Sequence, residues 1–382
     1  MIKKFKILSS LFVIVLILTS CTNVNQPDVK YVLKTDFDLE TCKKESYVKE
    51  DLKKYKKLIE NGEIQGYNCA GIYYIKTSKD YKKAEEYFKK GIKAGNVESY
   101  YQLGSLYSTF MNKDFEDIVE QYKKAADKGH TLAMHNLGVQ YYNQAKFDEA
   151  IKWYKKSANS GDNYSLEGLG HTYRMKGDLE KARETYLRLA VERKDPQGYK
   201  NLGIFYSQKN RYKDLEKSKE YFLKCIELGD KDCYAALAAA IYEKEKDYEN
   251  AIKWYKKGFN AGSKSSVNRL GFIYTDILKD YDKAIYWLKK GYKELDYFDA
   301  PFLLAYLYEY DLKDYQKAIY WYKIGHNRGD YSCTQNLGYL YEKYLKDYKN
   351  AEIWYEKALK TKNYKKAQRG LKRLKKLGVL SE

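Results

Sequence analysis

The chain contains an internal repeat of 32 to 35 residues, and this period constrains its fold more than any other feature. In each copy a small residue is followed three positions later by tyrosine. The copies in step are Gly71/Tyr74, Gly104/Tyr107, Gly138/Tyr141, Gly170/Tyr173, Gly203/Tyr206, Gly271/Tyr274, Ala305/Tyr308 and Gly338/Tyr341. A further copy at Ala238 is out of step, with Tyr242 four residues later. A period of this length is that of one helix–turn–helix unit and predicts a stack of helical pairs.

The second half of each unit also repeats, around an alanine. These alanines are Ala84, Ala150, Ala182, Ala251, Ala284, Ala318 and Ala351. All five tryptophans stand three residues after such an alanine, at Trp153, Trp254, Trp287, Trp321 and Trp354. Stacking on a cofactor or a sugar is the alternative, but one aromatic residue at a fixed position in each repeat is typical of core packing. We therefore predict that the tryptophans lie in the core.

Residues that begin and end helices recur in the same rhythm. An aspartate precedes the second helix of most units and is expected to accept hydrogen bonds from exposed backbone N–H groups. These aspartates are Asp80, Asp114, Asp178, Asp247, Asp280, Asp314 and Asp347. The second helix is expected to end at a glycine with left-handed backbone, at Gly95, Gly129, Gly161, Gly229, Gly262 and Gly329. No alternating strand pattern competes, so the predicted fold class is all-α.

Two segments carry a family resemblance. Asn136-Leu137-Gly138 with the later Ala150–Lys156 segment, and the run Asn336–Tyr341, closely resemble Sel1-like repeats, the sister group of tetratricopeptide (TPR) repeats. The resemblance covers about Gln65 to Lys362. It implies an α–α superhelix, or solenoid, of about nine repeats over residues 45–377, closed by half-repeats near 52–62 and 364–374. The Gly-rich insertion of the usual Sel1 unit is absent, so the choice between Sel1 and TPR stays open.

The N-terminus has the order of an export signal. Lys3, Lys4 and Lys6 precede the apolar run Leu11–Leu18, which is too short for a membrane-spanning helix. The following Leu18–Cys21 segment resembles the lipobox of bacterial lipoproteins. That resemblance implies a signal peptide over residues 1–20, fatty acyl chains such as palmitate on Cys21, and a flexible tether over 21–44. The expected location is the bacterial cell envelope, lipid-anchored and extracytoplasmic, on the outer membrane in a diderm.

The chain is strongly basic. Removal of the signal peptide with its three lysines lowers the formal net charge from +19 to +16. This balance favours an acidic partner, although lysine-rich helix faces are also often simply solvated. Nucleic acid is not an expected partner of an exported protein. The acylated N-terminus would contact the lipid bilayer.

The cysteines extend the family resemblance. Cys225 and Cys233 have the spacing of the disulfide hairpin in cysteine-rich Sel1 proteins, some of which bind penicillins, and this similarity implies a disulfide. The pairing of Cys42, Cys69 and Cys333 stays open, with at least one thiol unpaired. The similarity also raises an alternative function, a cell-wall or β-lactam-related hydrolase.

Signs of catalysis or metal binding are weak. Ser46 and Lys49 fit the Ser-x-x-Lys pattern of penicillin-type active sites, but the companion motifs Ser-Asp-Asn and Lys-Thr-Gly are missing. His135, Glu167 and His171 form the one constellation to weigh as metal ligands, with polar groove residues as the alternative. The sequence has no His-x-x-x-His or Cys-x-x-Cys motif. We therefore predict no catalytic residues, no metal and no cofactor.

The predicted function is an interaction scaffold whose first helices form a groove for a protein, peptide or cell-wall partner. If TPR geometry applies, the variable residues of these helices contact the partner. The predicted groove residues are His135, Tyr142, Asn143, Tyr164, Glu167, His171, Arg174, Lys200, Asn268, Phe302, Tyr306 and Gln335. Neither the partner nor the oligomeric state follows from the sequence.

Overall fold

A computed structural model describes residue 42, residues 49–360 and residues 365–379. The predicted signal peptide, Cys21 and Ser46 lie outside the described residues. Within the described ranges all regular structure is helical, with no strand. None of these helices is both long and apolar enough to cross a bilayer. The chain packs as two units, with the boundary between Phe205 and Tyr206.

The helices follow one another through short turns. Their bounds are α1 Lys49–Glu60, α2 Gln65–Thr77, α3 Tyr81–Lys93, α4 Val97–Leu106, α5 Phe115–Ala126, α6 Thr131–Asn143, α7 Phe147–Asn159, α8 Asn163–Lys176, α9 Leu179–Leu187, α10 Pro196–Ser207, α11 Leu215–Glu227, α12 Asp232–Leu237, α13 Tyr248–Asn260, α14 Lys264–Phe272, α15 Tyr281–Leu295, α16 Ala300–Tyr310, α17 Tyr315–Asn327, α18 Tyr331–Leu340, α19 Tyr348–Leu359 and α20 Lys365–Lys376. Several of them continue into π-helical turns, at Tyr107–Met111, Arg188–Glu192, Ala238–Glu243, Ile273–Ile277 and Tyr341–Leu345.

The helices alternate between two kinds. The even-numbered helices α2 to α18 carry the small residue of the repeat, except that Ala238 directly follows α12, and are called A helices. The odd-numbered helices α3 to α19 carry the recurring alanine, replaced by Ile118 in α5 and Ser218 in α11, and are called B helices. Among the described residues, α1 and α20 are left as single helices at the two ends. The predicted all-α helical repeat solenoid, with nine helical pairs and terminal half-repeats, is confirmed.

In most repeats a large side chain of the B helix packs against the glycine of its A helix. A Cβ atom built on Gly138 would lie 2.5 Å from the Tyr154 ring, and one on Gly104 would lie 2.9 Å from the Tyr122 ring. In the second unit, a Cβ atom on Gly338 would lie 2.6 Å from Tyr355. Real Cβ atoms do not approach so closely, so the recurring glycine is required by the ring that lies on it.

The predicted helix ends are largely confirmed. Six of the seven aspartates accept a hydrogen bond from a backbone N–H of the following B helix, as Asp178 does from Lys181. Asp114 is the exception, since its side chain makes no such bond in the structure. The predicted terminal glycines have positive φ, for example +84° at Gly95.

The tryptophan prediction needs a correction. Trp153, Trp321 and Trp354 are buried, but Trp254 and Trp287 are only half-buried. The innermost aromatic residue lies one position later, four residues after the alanine. Fully buried tyrosines at that position are Tyr154, Tyr186, Tyr255, Tyr322 and Tyr355, and Tyr122 holds the equivalent position after Ile118, all with a residue exposure of at most 1%. Positions three and four after the alanine share one helix face, and the later one points more directly at the A helix.

The described residues contain two disulfides. Cys225 at the end of α11 is bonded to Cys233 at the start of α12, with 6.1 Å between their Cα atoms, as the family resemblance implied. Cys42 is bonded to Cys69 of α2. Cys42 was placed in the predicted flexible tether, but it is 1% exposed and covalently attached to the first A helix. Cys333 is a free, buried cysteine.

The different depths of Tyr255 and Trp254 can be tested by mutation. We expect Tyr255→Ala to lower the free energy of unfolding by about 3–5 kcal/mol, because it leaves a cavity against α12 and α14. Trp254→Ala should cost less than half as much, since Trp254 is half-buried and its ring is partly covered by Lys257. Urea unfolding followed by circular dichroism measures both. A larger loss for the tryptophan variant would contradict the assignment.

Candidate functional site

The predicted groove residues differ widely in exposure. Asn143 and Tyr164 are exposed. The half-buried residues are Glu167, His171, Arg174, Lys200, Asn268, Phe302 and Tyr306. His135, Tyr142 and Gln335 are buried, with exposures of 4%, 7% and 5%. Their prediction as open groove residues is therefore wrong.

His135 shows the physical reason. Its Nδ1 atom lies 3.0 Å from Ser165 Oγ and 3.1 Å from Asp162 Oδ2, both at the start of the next A helix. Its ring also meets the Tyr154 ring edge-on, with 5.7 Å between the centroids. The imidazole is thus enclosed between repeats and has no open side toward a groove.

Asn68 and Glu167, like His135, stand three positions before the recurring small residue and make equivalent contacts. Asn68 Oδ1 accepts a hydrogen bond from Ser99 Oγ at 2.6 Å, and Glu167 Oε1 accepts one from Gln197 Nε2 at 2.7 Å. Each of these hydrogen bonds joins residues about one repeat apart. This register therefore connects consecutive A helices, and part of the predicted groove is an inter-repeat contact.

The structure does not bring His135, Glu167 and His171 together as metal ligands. Within the described part of the chain, Cys225, Asp230 and Cys233 are the one group of three candidate ligand atoms within 4.8 Å of one another. The two sulfur atoms of that group are already bonded to each other. Neither group has the arrangement of a metal site.

A polar cluster in the first unit is formed by Glu167, His171, Arg174 and Lys200. Burial raises the pKa of Glu167, against opposing hydrogen bonds from Gln197 and from Asn201. Burial, with a smaller contribution from Arg174, lowers the pKa of His171 to about 3. His171 is therefore a neutral imidazole at physiological pH. The cluster offers hydrogen-bonding groups and two cations along the A helices.

The second unit presents aromatic rings at the corresponding face. Phe302, Tyr306 and Tyr310 follow one another at intervals of four along α16 and form the aromatic row. The rings of Tyr306 and Tyr310 stack with 4.3 Å between their centroids, and Phe302 lies 6.2 Å from Tyr306. All three are half-buried, although their neighbours Leu304 and Leu307 are in the core. The row continues at Tyr344, 6.4 Å from Tyr310.

Sequence reasoning missed two acids next to this row, the buried Glu309 and the half-buried Glu342. Tyr322 Oη donates to Glu309 Oε2 at 2.7 Å, and Tyr355 Oη donates to Glu342 Oε2 at 2.6 Å. Both acids stand four residues after the small residue of their repeat, the same register as the predicted groove residue Arg174. That shared register was the available signal.

The two acids have opposite electrostatic surroundings. Glu309 is fully buried, and burial raises its pKa to about 7 despite the hydrogen bond from Tyr322. Glu342 is also affected by burial, but hydrogen bonds from Arg373 and Tyr355 outweigh it and hold its pKa below the usual value. Arg373 contacts both carboxylate oxygens of Glu342 at 2.7 Å. Among the ion pairs formed by the described residues, none includes Glu309.

Family models match almost the whole repeat region. The Sel1 repeat model matches residues 69–96, 97–130, 196–230, 266–294 and 299–330. Tetratricopeptide repeat models match residues 131–160, 165–198, 233–261 and 333–367. Together they cover more than half of the chain, which belongs to the Sel1-like and TPR repeat proteins. Such repeats indicate a protein–protein interaction scaffold, and their fold is typically non-enzymatic.

Solved structures include several similar repeat proteins. The c5321 protein, a protective antigen present in uropathogenic Escherichia coli strains and displaying an SLR fold, is 28% identical with a TM-score of 0.46, over 86% of this chain and 75% of its own. A Sel1 repeat protein from Oxalobacter formigenes is 24% identical with a TM-score of 0.40, over 63% and 98%. Pseudomonas aeruginosa pilF is 21% identical with a TM-score of 0.38, over 53% and 94%. The comparison with curated proteins gave no match.

The contrast between Glu309 and Glu342 predicts opposite pH dependence of stability. The folded state holds the Glu309 proton more tightly than the unfolded state, so this stabilisation is complete below about pH 4.5 and is lost as pH rises through about 7. A tenfold change in proton affinity corresponds to about 1.4 kcal/mol, so the loss amounts to about 3 kcal/mol. Glu309→Gln should remove it.

Glu342→Gln is the matched control. Its lowered pKa means that the Glu342 contribution is present above the unfolded pKa and disappears as pH falls. Urea unfolding near pH 5 and pH 8 should therefore give a flatter pH dependence for the Glu309 variant, whereas the Glu342 variant should lose a similar amount of stability at both pH values and keep the original pH dependence. Identical profiles for both variants would contradict the two environments.

Proposed function

We propose that this chain is a lipid-anchored scaffold of the bacterial cell envelope that binds a segment of a partner protein along its A helices. The observation that carries the binding role is the aromatic row on α16. Its rings are partly exposed at regular intervals along one helix, although the neighbouring apolar side chains are buried. Aromatic residues of this kind are enriched among the residues that dominate binding energy at interfaces.

The polar cluster of the first unit supports a second contact region for the same role. His171 is neutral and lies beside Arg174, which forms a hydrogen bond to Tyr186. A cation that is already held in place loses little conformational freedom when it binds an acidic group. Together with the formal net charge, this favours a partner with an acidic face.

Two features support the extracytoplasmic location. The basic and apolar N-terminal segment ends at Cys21 in the order of a lipoprotein signal. The structure also contains the disulfides Cys42–Cys69 and Cys225–Cys233, which persist in oxidising compartments and are rare in reducing ones. The lipid on Cys21 would hold the chain at the membrane.

The anchor predicts a clear change of location. Cys21→Ser should move the protein from the membrane fraction to the soluble fraction, because the acyl chains are the proposed stable anchor. The fractions are compared after a wash in about 1 M NaCl, where the Debye length is about 3 Å and electrostatic attachment is removed. As a control, the Cys333→Ser variant, which loses a buried cysteine elsewhere in the chain, should remain in the membrane fraction. Sedimentation of the Cys21 variant with washed membranes would refute the anchor.

The binding surface can be tested in intact cells. A photo-crosslinking phenylalanine analogue at Tyr306 should capture a specific partner, which mass spectrometry identifies. Tyr286 on the B helix α15 is the matched control, because it is a 55% exposed tyrosine on the other kind of helix. Replacing Phe302 by serine should then reduce the crosslink at position 306 at least about tenfold, since its ring packs against Tyr306. Crosslinks of equal yield at both positions would show that the aromatic row is not the contact surface.

A further inference from the structure

The last helix of the structure, α20, has an unusual distribution of charge. Its sequence, KKAQRGLKRLKK, contains seven cations and no acid. Ala367, Gly370 and Leu374 are buried against the preceding repeat. The cations Lys365, Lys366, Arg369, Lys372, Lys375 and Lys376 are all exposed.

One cation of α20 has a structural role. Arg373 donates to both carboxylate oxygens of Glu342 at 2.7 Å and fixes the helix against α18 and its π-helical turn. Within the described part of the chain, the six exposed cations form no ion pair. Docking of the helix therefore uses Arg373 and the buried face, and it does not require the other six.

In the other lysine-rich helices, many of the cations form ion pairs. Many of their lysines pair with an acid of the same helix one turn away, as in Lys89–Glu85, Lys124–Glu120 and Lys253–Glu249. Such faces balance their own charge and are adequately explained as solvated surfaces. This explanation fails for α20, whose like charges repel one another.

The geometry of the exposed face indicates the shape of its partner. Lys365, Arg369, Lys372 and Lys376 follow one another at intervals of four, three and four residues, so they lie on one side of the helix. Their stripe extends over about 16 Å, at 1.5 Å per residue. Leu377, directly after the helix, is 59% exposed. A straight basic stripe with an apolar residue at its end matches a flat anionic surface.

We propose that the exposed face of α20 binds the surface of a lipid bilayer that contains anionic headgroups. Clusters of four to eight lysine or arginine residues on one helix are typical of such binding. Because the apolar face of α20 is buried in the repeat stack, the contact is electrostatic and the helix does not insert deeply. The proposal is independent of the acyl chains on Cys21 and goes beyond the partner-binding role.

Vesicle sedimentation tests the proposal with lipid-free protein, residues 22–382. It should bind vesicles of equal parts phosphatidylcholine and phosphatidylglycerol, fail to bind phosphatidylcholine alone, and be released by high salt. The variant Lys365→Gln, Arg369→Gln, Lys372→Gln, Lys376→Gln should bind at least about tenfold more weakly, since each cation near an anionic surface contributes roughly a fivefold factor. Circular dichroism melting verifies that the variant is folded.

The control variant changes the same number of charges on α1, the single helix at the other end. Lys53, Lys54, Lys56 and Lys57 are exposed there, on a helix that also contains Glu50, Asp51 and Glu60. Their replacement by glutamine should change vesicle binding less than twofold. An equal loss in both variants would attribute binding to net charge and overturn the proposal. Equal binding to neutral vesicles, or binding of dextran sulfate without binding of anionic vesicles, would overturn it as well.

Discussion

The contact between a B-helix aromatic ring and the backbone of the A helices determines how the repeats are built. The Tyr154 ring lies directly on Gly138 of its own repeat, and a Cβ atom on Gly168 of the next A helix would lie 2.7 Å from the same ring. One side chain thus fills the space between three helices. Removal of the ring affects two neighbouring repeats at once, which is why a single unit of this kind cannot form a stable core alone.

The hydroxyl groups of these rings explain some of the polar residues inside the stack, such as Ser105, Asn136 and Glu309. A buried tyrosine needs a hydrogen-bond partner for its hydroxyl, and the A helices provide different ones. Tyr122 Oη lies 3.2 Å from both Ser105 Oγ and Asn136 Nδ2, whereas Tyr255 Oη donates to Glu243. The residue type at these positions therefore depends on how the tyrosine hydroxyl group is hydrogen-bonded in each repeat. Phe302 and Tyr306 remain half-buried and bond none of these hydroxyl groups, which is consistent with their proposed role in binding a partner.

Most of the fold could be predicted because the same residue pattern recurs in each repeat. Helix type, helix ends and the required glycines all follow from local periodicity. The relative depth of Trp254 and Tyr255 does not, because both lie on one helix face and the choice depends on a glycine in another helix. The burial of His135 depends on the position of the next helix start, at Asp162 and Ser165. Such contacts between repeats cannot be predicted from a residue pattern that describes a single repeat.

The Cys225–Cys233 disulfide lies where the repeat pattern is weakest. The A helix that it enters, α12, extends over six residues before it passes into the π-helical turn Ala238–Glu243. This is also the copy in which the small residue and the tyrosine are out of step. The closed loop is short, so the bond contributes on the order of 2–3 kcal/mol. At the equivalent junction of α17 and α18, Gly325 faces Cys333, and the regular helix packing holds without a covalent link. Because the stability of a stack depends on every contact between adjacent units, a crosslink at this irregular junction adds a connection that does not depend on the regular repeat pattern.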